Sequence, residues 1–349
     1  MLASPTGRRR KGKTMNLAYR WIARAAILLA STAVIAQDAD RPSLRERLRE
    51  RIEQRREPAS DASAAGTTEY SLRHGGLTRK YLLHIPAQRD PGKPLPLVIA
   101  FHGGGGHAEY MADDARYGWV GKADKEGFAV VFPNGYSKLP GGRFATWNAG
   151  QCCGDARDRN IDDVGFVRAL VADVRRKLAI DPTRIFATGM SNGGMLSHRL
   201  ACDAADLVRA VASVAGTDAT VGCKPSRPVS VLHIHARDDT HVLFNGGAGK
   251  DAFRDPSKVF DFVSVPETLA RWAGRDHCSP HPRRVLDTPG AYCEAYSGCE
   301  GGVKLQLCVT EAGGHTWPGA EQVRRGKAPA SHAIDATEVI WAFFEAASR

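Results

Sequence analysis

From about residue 80 onward, short apolar runs alternate with longer stretches in which apolar residues return every three or four positions. Tyr81 to Ile85, Leu97 to Phe101, Phe128 to Phe132, Arg184 to Thr188, Ala210 to Val214, Val229 to His235 and Val303 to Val309 are five to seven residues long. Gly, Pro, Asn or Asp residues bound most of them, so they predict strands, several of them buried on both faces. Val164 to Leu178 and His332 to Ala346 carry the clearest helical periodicity. Strands alternating with helices predict a mostly parallel central sheet with helices on both faces, an α/β fold.

The amino-terminal region follows a different pattern. Met15 through Gln37 sets Arg20 and Arg24 before an apolar core that runs to Ile35, and Val34-Ile35-Ala36 ends it with small residues at a cleavage spacing. This predicts a signal peptide over residues 1–36, with residues 1–14 either a misassigned start or a long basic leader. The apolar stretch is shorter than the ~20 residues needed to span a bilayer, so no stable membrane anchor is expected. Residues 37–66 read as a charged segment and polar linker, in which Leu44 to Ile52 has the spacing of a short surface helix. Residues 67–349 form the expected catalytic domain.

Charge changes the picture little once it is located. The chain carries a net +10, but residues 1–57 hold 14 Lys and Arg against 6 Asp and Glu, leaving 34 against 32 in the remainder. A nearly neutral body argues against nucleic acid as a partner. All eight cysteines lie between Cys152 and Cys308, and an even count behind an export signal reads as disulfides. Cys202 with Cys223 is the expected pair, since one ends a helix and the other follows the next strand. Cys152 and Cys153, being adjacent, are expected to bridge to distant partners among Cys278, Cys293, Cys299 and Cys308. The segment Arg275 to Gly302, dense in Cys, Pro and Gly, is expected to be an excursion pinned by disulfides near the site. A metal centre would call for paired C-x-x-C spacing, which is absent; neither metal nor cofactor is expected.

The candidate chemistry sits at the ends of the predicted strands. Arg184 to Thr188 feeds Gly189-Met190-Ser191-Asn192-Gly193, and a helix-compatible segment follows. A strand-to-helix elbow flanked by small residues exposes a serine hydroxyl beside a helix amino terminus, which makes Ser191 the candidate nucleophile. Leu97 to Phe101 ends in His102-Gly103-Gly104-Gly105-Gly106. There, bare backbone N–H groups of Gly103 and Gly104, with that of Asn192, would form an oxyanion hole. A phosphate loop would require G-K-[S/T], which does not follow. The general base and its orienting acid are expected after the serine on loops behind strands. Val229 to His235 opens onto Asp238 and Asp239, of which Asp239 is preferred because Val242 anchors the loop three residues later. Val303 to Val309 leads to Gly313-Gly314-His315-Thr316-Trp317, making His315 the candidate base. His102, His233, His235 and His241 are expected to be structural histidines with satisfied partners. Trp147 and Trp317 are the candidate pocket walls.

His102 to Gly106, Trp147-Asn148-Ala149-Gly150-Gln151-Cys152-Cys153-Gly154, Asp162 to Phe166, Gly189 to Gly194 and Gly314 to Gly319 resemble the polyhydroxybutyrate depolymerase and feruloyl esterase group. The resemblance covers most of residues 67–349 and implies an α/β-hydrolase fold with Ser191, Asp239 and His315 as triad. Ala236 stands where that group more often has His-Gly before the acid, so Asp238 stays open as the alternative. The resemblance implies a secreted serine carboxylesterase, extracellular or periplasmic, acting on a small-molecule or polysaccharide-linked ester. Because the chain ends soon after its last predicted helix, without a polymer-gripping module, feruloyl or acetyl esters of plant-wall polysaccharide are the first expectation. Polyhydroxybutyrate depolymerisation is the alternative, and a non-catalytic binding protein on the same fold the opposed class.

Overall fold

The computed structural model describes residues 66–90, 92–252 and 261–348, all within one of the chain's two compact units, residues 62–349. The expected signal peptide and the charged segment fall outside the described residues.

Ten strands form one sheet. They are β1 (Thr67–His74), β2 (Leu77–His84), β3 (Leu95–Phe101), β4 (Ala129–Pro133), β5 (Ile180–Met190), β6 (Ala210–Val214), β7 (Ser230–Ala236), β8 (Arg283–Thr288), β9 (Ala291–Ala295) and β10 (Leu305–Thr310). Their order is β1-β2-β4-β3-β5-β6-β7-β10-β9-β8. The six strands from β4 to β10 in that order pair in parallel, and antiparallel hairpins extend both edges.

Alternation along β3 shows how the sheet is covered. Leu97, Ile99 and Phe101 point into one apolar cluster, which takes in Phe166 and Leu170 of helix Asp163–Lys177 and Leu196 and Leu200 of helix Asn192–Asp203. Val98 and Ala100 point into a second cluster, which holds Trp119 of helix Trp119–Glu126 and Ile340 and Phe344 of helix Ala336–Ala347. Both faces of the central strands are dry, as the apolar runs require, and helices cover each. This is the α/β-hydrolase fold. The last helix starts at Ala336 rather than at 332 because Asp335 caps it, its carboxylate accepting from Thr337 and Glu338 N–H at 2.8 and 3.0 Å.

Two expectations about the cysteines need correction. Cys202–Cys223 is formed, but Cys152 pairs with Cys153 and not with a distant partner. The downstream four satisfy one another: Cys293 and Cys308 face across the β9–β10 register, and Cys278 joins Cys299. Residues 275–302 are likewise no excursion beside the site. They contain the β8–β9 hairpin, which prolongs the sheet beyond β10.

Candidate active site

Ser191 stands between β5 and helix Asn192–Asp203 with φ 54° and ψ −120°. A non-glycine residue is strained there, and the surrounding packing leaves no alternative path. A methyl group on Gly189 would come 2.6 Å from the Gly193 carbonyl carbon, and one on Gly193 would come 2.5 Å from the Phe101 oxygen. The glycines on either side of Ser191 therefore let the elbow press against the end of β3. The Ser191 N–H is tied to Val214 O at 2.7 Å, which locks the turn to β6.

The glycine loop after β3 lies against this elbow. Cβ atoms built on Gly103 and Gly104 would fall 3.5 and 3.6 Å from those of Ser191 and Asn192. Gly105 N–H donates to Ala145 O and Gly106 N–H to Gly103 O, at 2.8 and 2.9 Å. His102 beneath the loop is wholly buried; its Nδ1 donates to Gly103 O at 2.8 Å, and its Nε2 accepts from Gly135 N–H at 3.0 Å. Burial pushes its pKa down to about 4, so it stays neutral and keeps that tautomer. Asn192 does more than its backbone role suggests. Its side-chain amide pairs with both backbone groups of Trp147, accepting from N–H at 2.7 Å and donating to O at 3.0 Å.

Trp147 itself does not wall the cavity. It is fully buried, its Nε1 donates to His102 O at 2.9 Å, and its ring packs against Phe101 and His102 with centroids 5.2 and 4.9 Å away. The tryptophan supports the glycine loop from below, which corrects the pocket assignment. A buried ion pair continues the support. Arg79 meets Asp163 at 2.7 Å, and the other Asp163 oxygen accepts from Asn148 N–H at 2.8 Å. Nothing in the apolar and polar pattern singled out Arg79, which sits in a strand of mixed polarity.

Asp239 is buried at the end of β7, and its Oδ2 receives His315 Nδ1–H at 2.7 Å. Its other oxygen accepts the N–H groups of His241 and Val242 at 2.7 and 3.1 Å. Burial alone would raise this carboxyl. The nearby His315 charge and hydrogen bonds from His235 and His315 outweigh it, holding the group well below the usual carboxylate range. Asp238 is exposed and accepts from Gly314 N–H at 2.8 Å, fastening the His315 loop.

Behind Asp239 runs a chain of buried imidazoles. Trp272 Nε1 donates to His198 Nδ1 at 2.9 Å, which fixes the next donors in turn: His198 to His233 at 3.4 Å and His233 to His235 at 3.0 Å. His235 Nε2 then reaches Val242 O at 2.8 Å and Asp239 Oδ2 at 3.3 Å. His233 and His235 thus have the satisfied partners expected of them. His241 departs from that expectation. It stacks on His315 with centroids 4.6 Å apart and planes at 10°, its Nε2 accepts from Lys327 at 2.8 Å, and its buried Nδ1 finds no protein partner among the described residues. Burial, with the adjacent His315 and Lys327 charges, lowers its pKa to about 4.

A cavity of about 690 Å³ opens over these groups. Ser191, Asn192, His315, Gly103 and Gly104 line it together, with Trp317, Tyr117 and Tyr110 on its wall. Tyr117 meets Trp317 edge-on at 5.2 Å, and Trp317 Nε1 is held by Thr337 Oγ1 at 3.0 Å. Phe144 also lines the cavity. It is 64% exposed and held at φ 55°, a strained apolar residue facing the opening. Among the described residues no cluster of His, Cys, Asp and Glu has the arrangement of a metal site, and no helix is long and apolar enough to cross a membrane.

The profile of the family described as Esterase PHB depolymerase matches residues 80–247. "Feruloyl esterase B" of Piromyces equi is 33% identical over 242 residues, covering 68% of this chain but 42% of its own length. "Putative esterase NocK" of Nocardia uniformis subsp. tsuyamanensis is 30% identical over 283 residues, 76% of this chain and 77% of that protein. Among solved structures, an acetyl xylan esterase from Aspergillus awamori superposes with a TM-score of 0.55 at 14% identity, over 80% of this chain and 99% of its own, and so shares the fold. With an elbow serine, a glycine loop and an Asp–His pair on this scaffold, the chain belongs to the Esterase PHB depolymerase family, the group that contains the feruloyl esterases.

Proposed function

We propose that the protein is a serine carboxylesterase with Ser191 as nucleophile, His315 as general base and Asp239 as its orienting acid. The observation that carries this reading is the 2.7 Å bond from His315 Nδ1 to buried Asp239 beside a cavity that His315 shares with Ser191. With Nδ1 protonated and engaged, the other imidazole nitrogen is left unprotonated to take the serine proton as Oγ attacks an ester carbonyl. Asp239, kept ionised, stabilises the imidazolium that forms. The tetrahedral oxyanion would be held by Asn192 N–H, in the first helical turn where no intrahelical acceptor exists, and by N–H groups of Gly103 and Gly104. Gly105 and Gly106 N–H are already engaged, so they are not the donors. His315 then protonates the leaving alcohol, and water repeats the cycle on the acyl-enzyme.

For substrate, we infer feruloyl or acetyl esters of plant-wall polysaccharide. The Piromyces relative is named a feruloyl esterase, and Tyr110, Tyr117, Phe144 and Trp317 give a planar cinnamoyl group aromatic faces and edges to pack on. Polyhydroxybutyrate depolymerisation is the second reading, favoured by the description of the matched family. Export from the cell is part of the proposal, supported by four disulfides, which persist in oxidising compartments. Side-by-side kcat/KM values for methyl ferulate, an acetylated xylo-oligosaccharide and a 3-hydroxybutyrate oligomer test the substrate. Preference for either of the first two supports the reading; preference for the hydroxybutyrate oligomer replaces it with the second.

A further inference from the structure

The cavity over Ser191 is lined by Arg116, Arg143, Arg324 and Lys327, and by no aspartate or glutamate among the described residues. A site for neutral esters alone has no need of such an imbalance. Arg116 is accounted for, since its guanidinium meets Asp113 at 2.8 Å. Lys327 and Arg324 are different. Lys327 N–H donates to Arg324 O at 3.0 Å, so one tight turn presents both cations to the cavity. The Lys327 ammonium donates to His241 Nε2, a neutral acceptor, and makes no ion pair with a carboxylate among the described residues. Burial lowers its pKa from the ordinary lysine value; Asp251 and Asp239 oppose this through space, and the Arg324 charge adds to it. A cation held this way favours an arriving anion.

Position decides which half of an ester meets that charge. The leaving alcohol must lie against His315, because His315 is the group that returns the proton to it. His241 covers one face of His315, and Lys327 is bonded to the edge of His241. Lys327 is therefore linked through His241 to the base that serves the leaving alcohol, and with Arg324 it lines the cavity that His315 shares.

We propose that Lys327 and Arg324, with Lys327 oriented by His241, form a binding site for a carboxylate carried on the alcohol half of the substrate ester. The inference rests on the esterase reading given above. Its chemistry is that of an acidic sugar residue in a wall oligosaccharide, or of a hydroxy acid whose hydroxyl is esterified. A charge-assisted hydrogen bond in a partly screened site is worth about tenfold or more in kcat/KM.

The test uses matched chromogenic acetates, 4-nitrophenyl acetate and 3-carboxy-4-nitrophenyl acetate, each corrected for its uncatalysed rate. The ratio of kcat/KM, anionic over neutral, is expected to exceed about ten at low ionic strength and to fall as salt is added. In Arg324→Gln and Lys327→Met the ratio should collapse toward that of a neutral wall, and Lys327→Arg should restore it. A ratio near one in the wild-type protein, or a high ratio that survives the double substitution and added salt, overturns the proposal while leaving the esterase reading in place. Failure to hydrolyse even 4-nitrophenyl acetate would instead defeat the esterase reading itself. Comparing an acetylated xylo-oligosaccharide bearing a uronic acid with its neutral counterpart, and a 3-hydroxybutyrate dimer with its methyl ester, identifies the source. The pair showing the larger acid preference names it, and no preference in either counts against the site.

Discussion

Asp238 and Asp239 are adjacent in sequence and opposite in environment. Asp239 is buried and bonded to His315, whereas Asp238 faces solvent and fastens the backbone of Gly314. Replacing Asp239 by Asn should lower kcat by about 10⁴, because the amide stabilises the wrong histidine tautomer and no longer balances the imidazolium. Asp238→Asn keeps an oxygen that can accept from Gly314 N–H, so its kcat should stay within about tenfold of the parent, the scale of a single neutral hydrogen bond. Steady-state kinetics on 4-nitrophenyl acetate separates the two, and a reversal of the effects would move the acid to Asp238. At this scale the sequence was informative where a motif fixes backbone shape, as around Ser191 and His315. It was silent where a side chain acts on a distant backbone. The pairing of the Asn192 amide with Trp147, the placement of Trp147 under the glycine loop and the stacking of His241 on His315 all depend on contacts across the fold that spacing along the chain does not encode.

The central strands were legible because burial on both faces leaves only apolar runs; Ala210–Val214 matches β6 residue for residue. The edge hairpins were not. β1 and β8 carry polar and charged residues such as Glu69, Arg73, Arg283 and Arg284, which protect an exposed edge but erase the apolar signal. The same mixed polarity hid Arg79 in β2. Its buried bond to Asp163 joins the antiparallel hairpin to helix Asp163–Lys177, and through Asn148 to the loop that holds Trp147. Removing one member leaves a buried, uncompensated charge. Arg79→Met should therefore destabilise the protein by about 3–5 kcal/mol, while a double change of Arg79 to Met and Asp163 to Leu should recover part of that loss. Urea unfolding of the three proteins measures it; equal stability of Arg79→Met and parent would show that the pair supports nothing.

For the whole molecule, Asp276 gives stability a definite pH dependence. It is fully buried at the carboxyl end of helix Val265–Arg275, neither carboxylate oxygen meets a hydrogen-bond partner among the described residues, and burial pushes the group up to about 6 despite the nearby Arg275 charge. In the unfolded chain the same group titrates near about 4. Its contribution is therefore fully present below about pH 4 and is lost as pH rises through about 6, a loss of roughly 3 kcal/mol by neutral pH. Asp276→Asn should flatten that decline, so denaturant titrations at pH 4.5 and 7.5 should differ less in the variant than in the parent. Such a group is invisible in sequence, because its burial comes from contacts across the fold that the pattern along the chain does not encode. The proposed chemistry needs a single reactive hydroxyl among the many serines of the chain. A fluorophosphonate probe on the folded protein, followed by peptide mass mapping, asks the molecule directly which serine that is. Stoichiometric modification of Ser191, with Ser191→Ala unlabelled and its kcat lower by on the order of 10⁶, is the predicted result. Labelling at any other serine with Ser191 untouched would contradict the account.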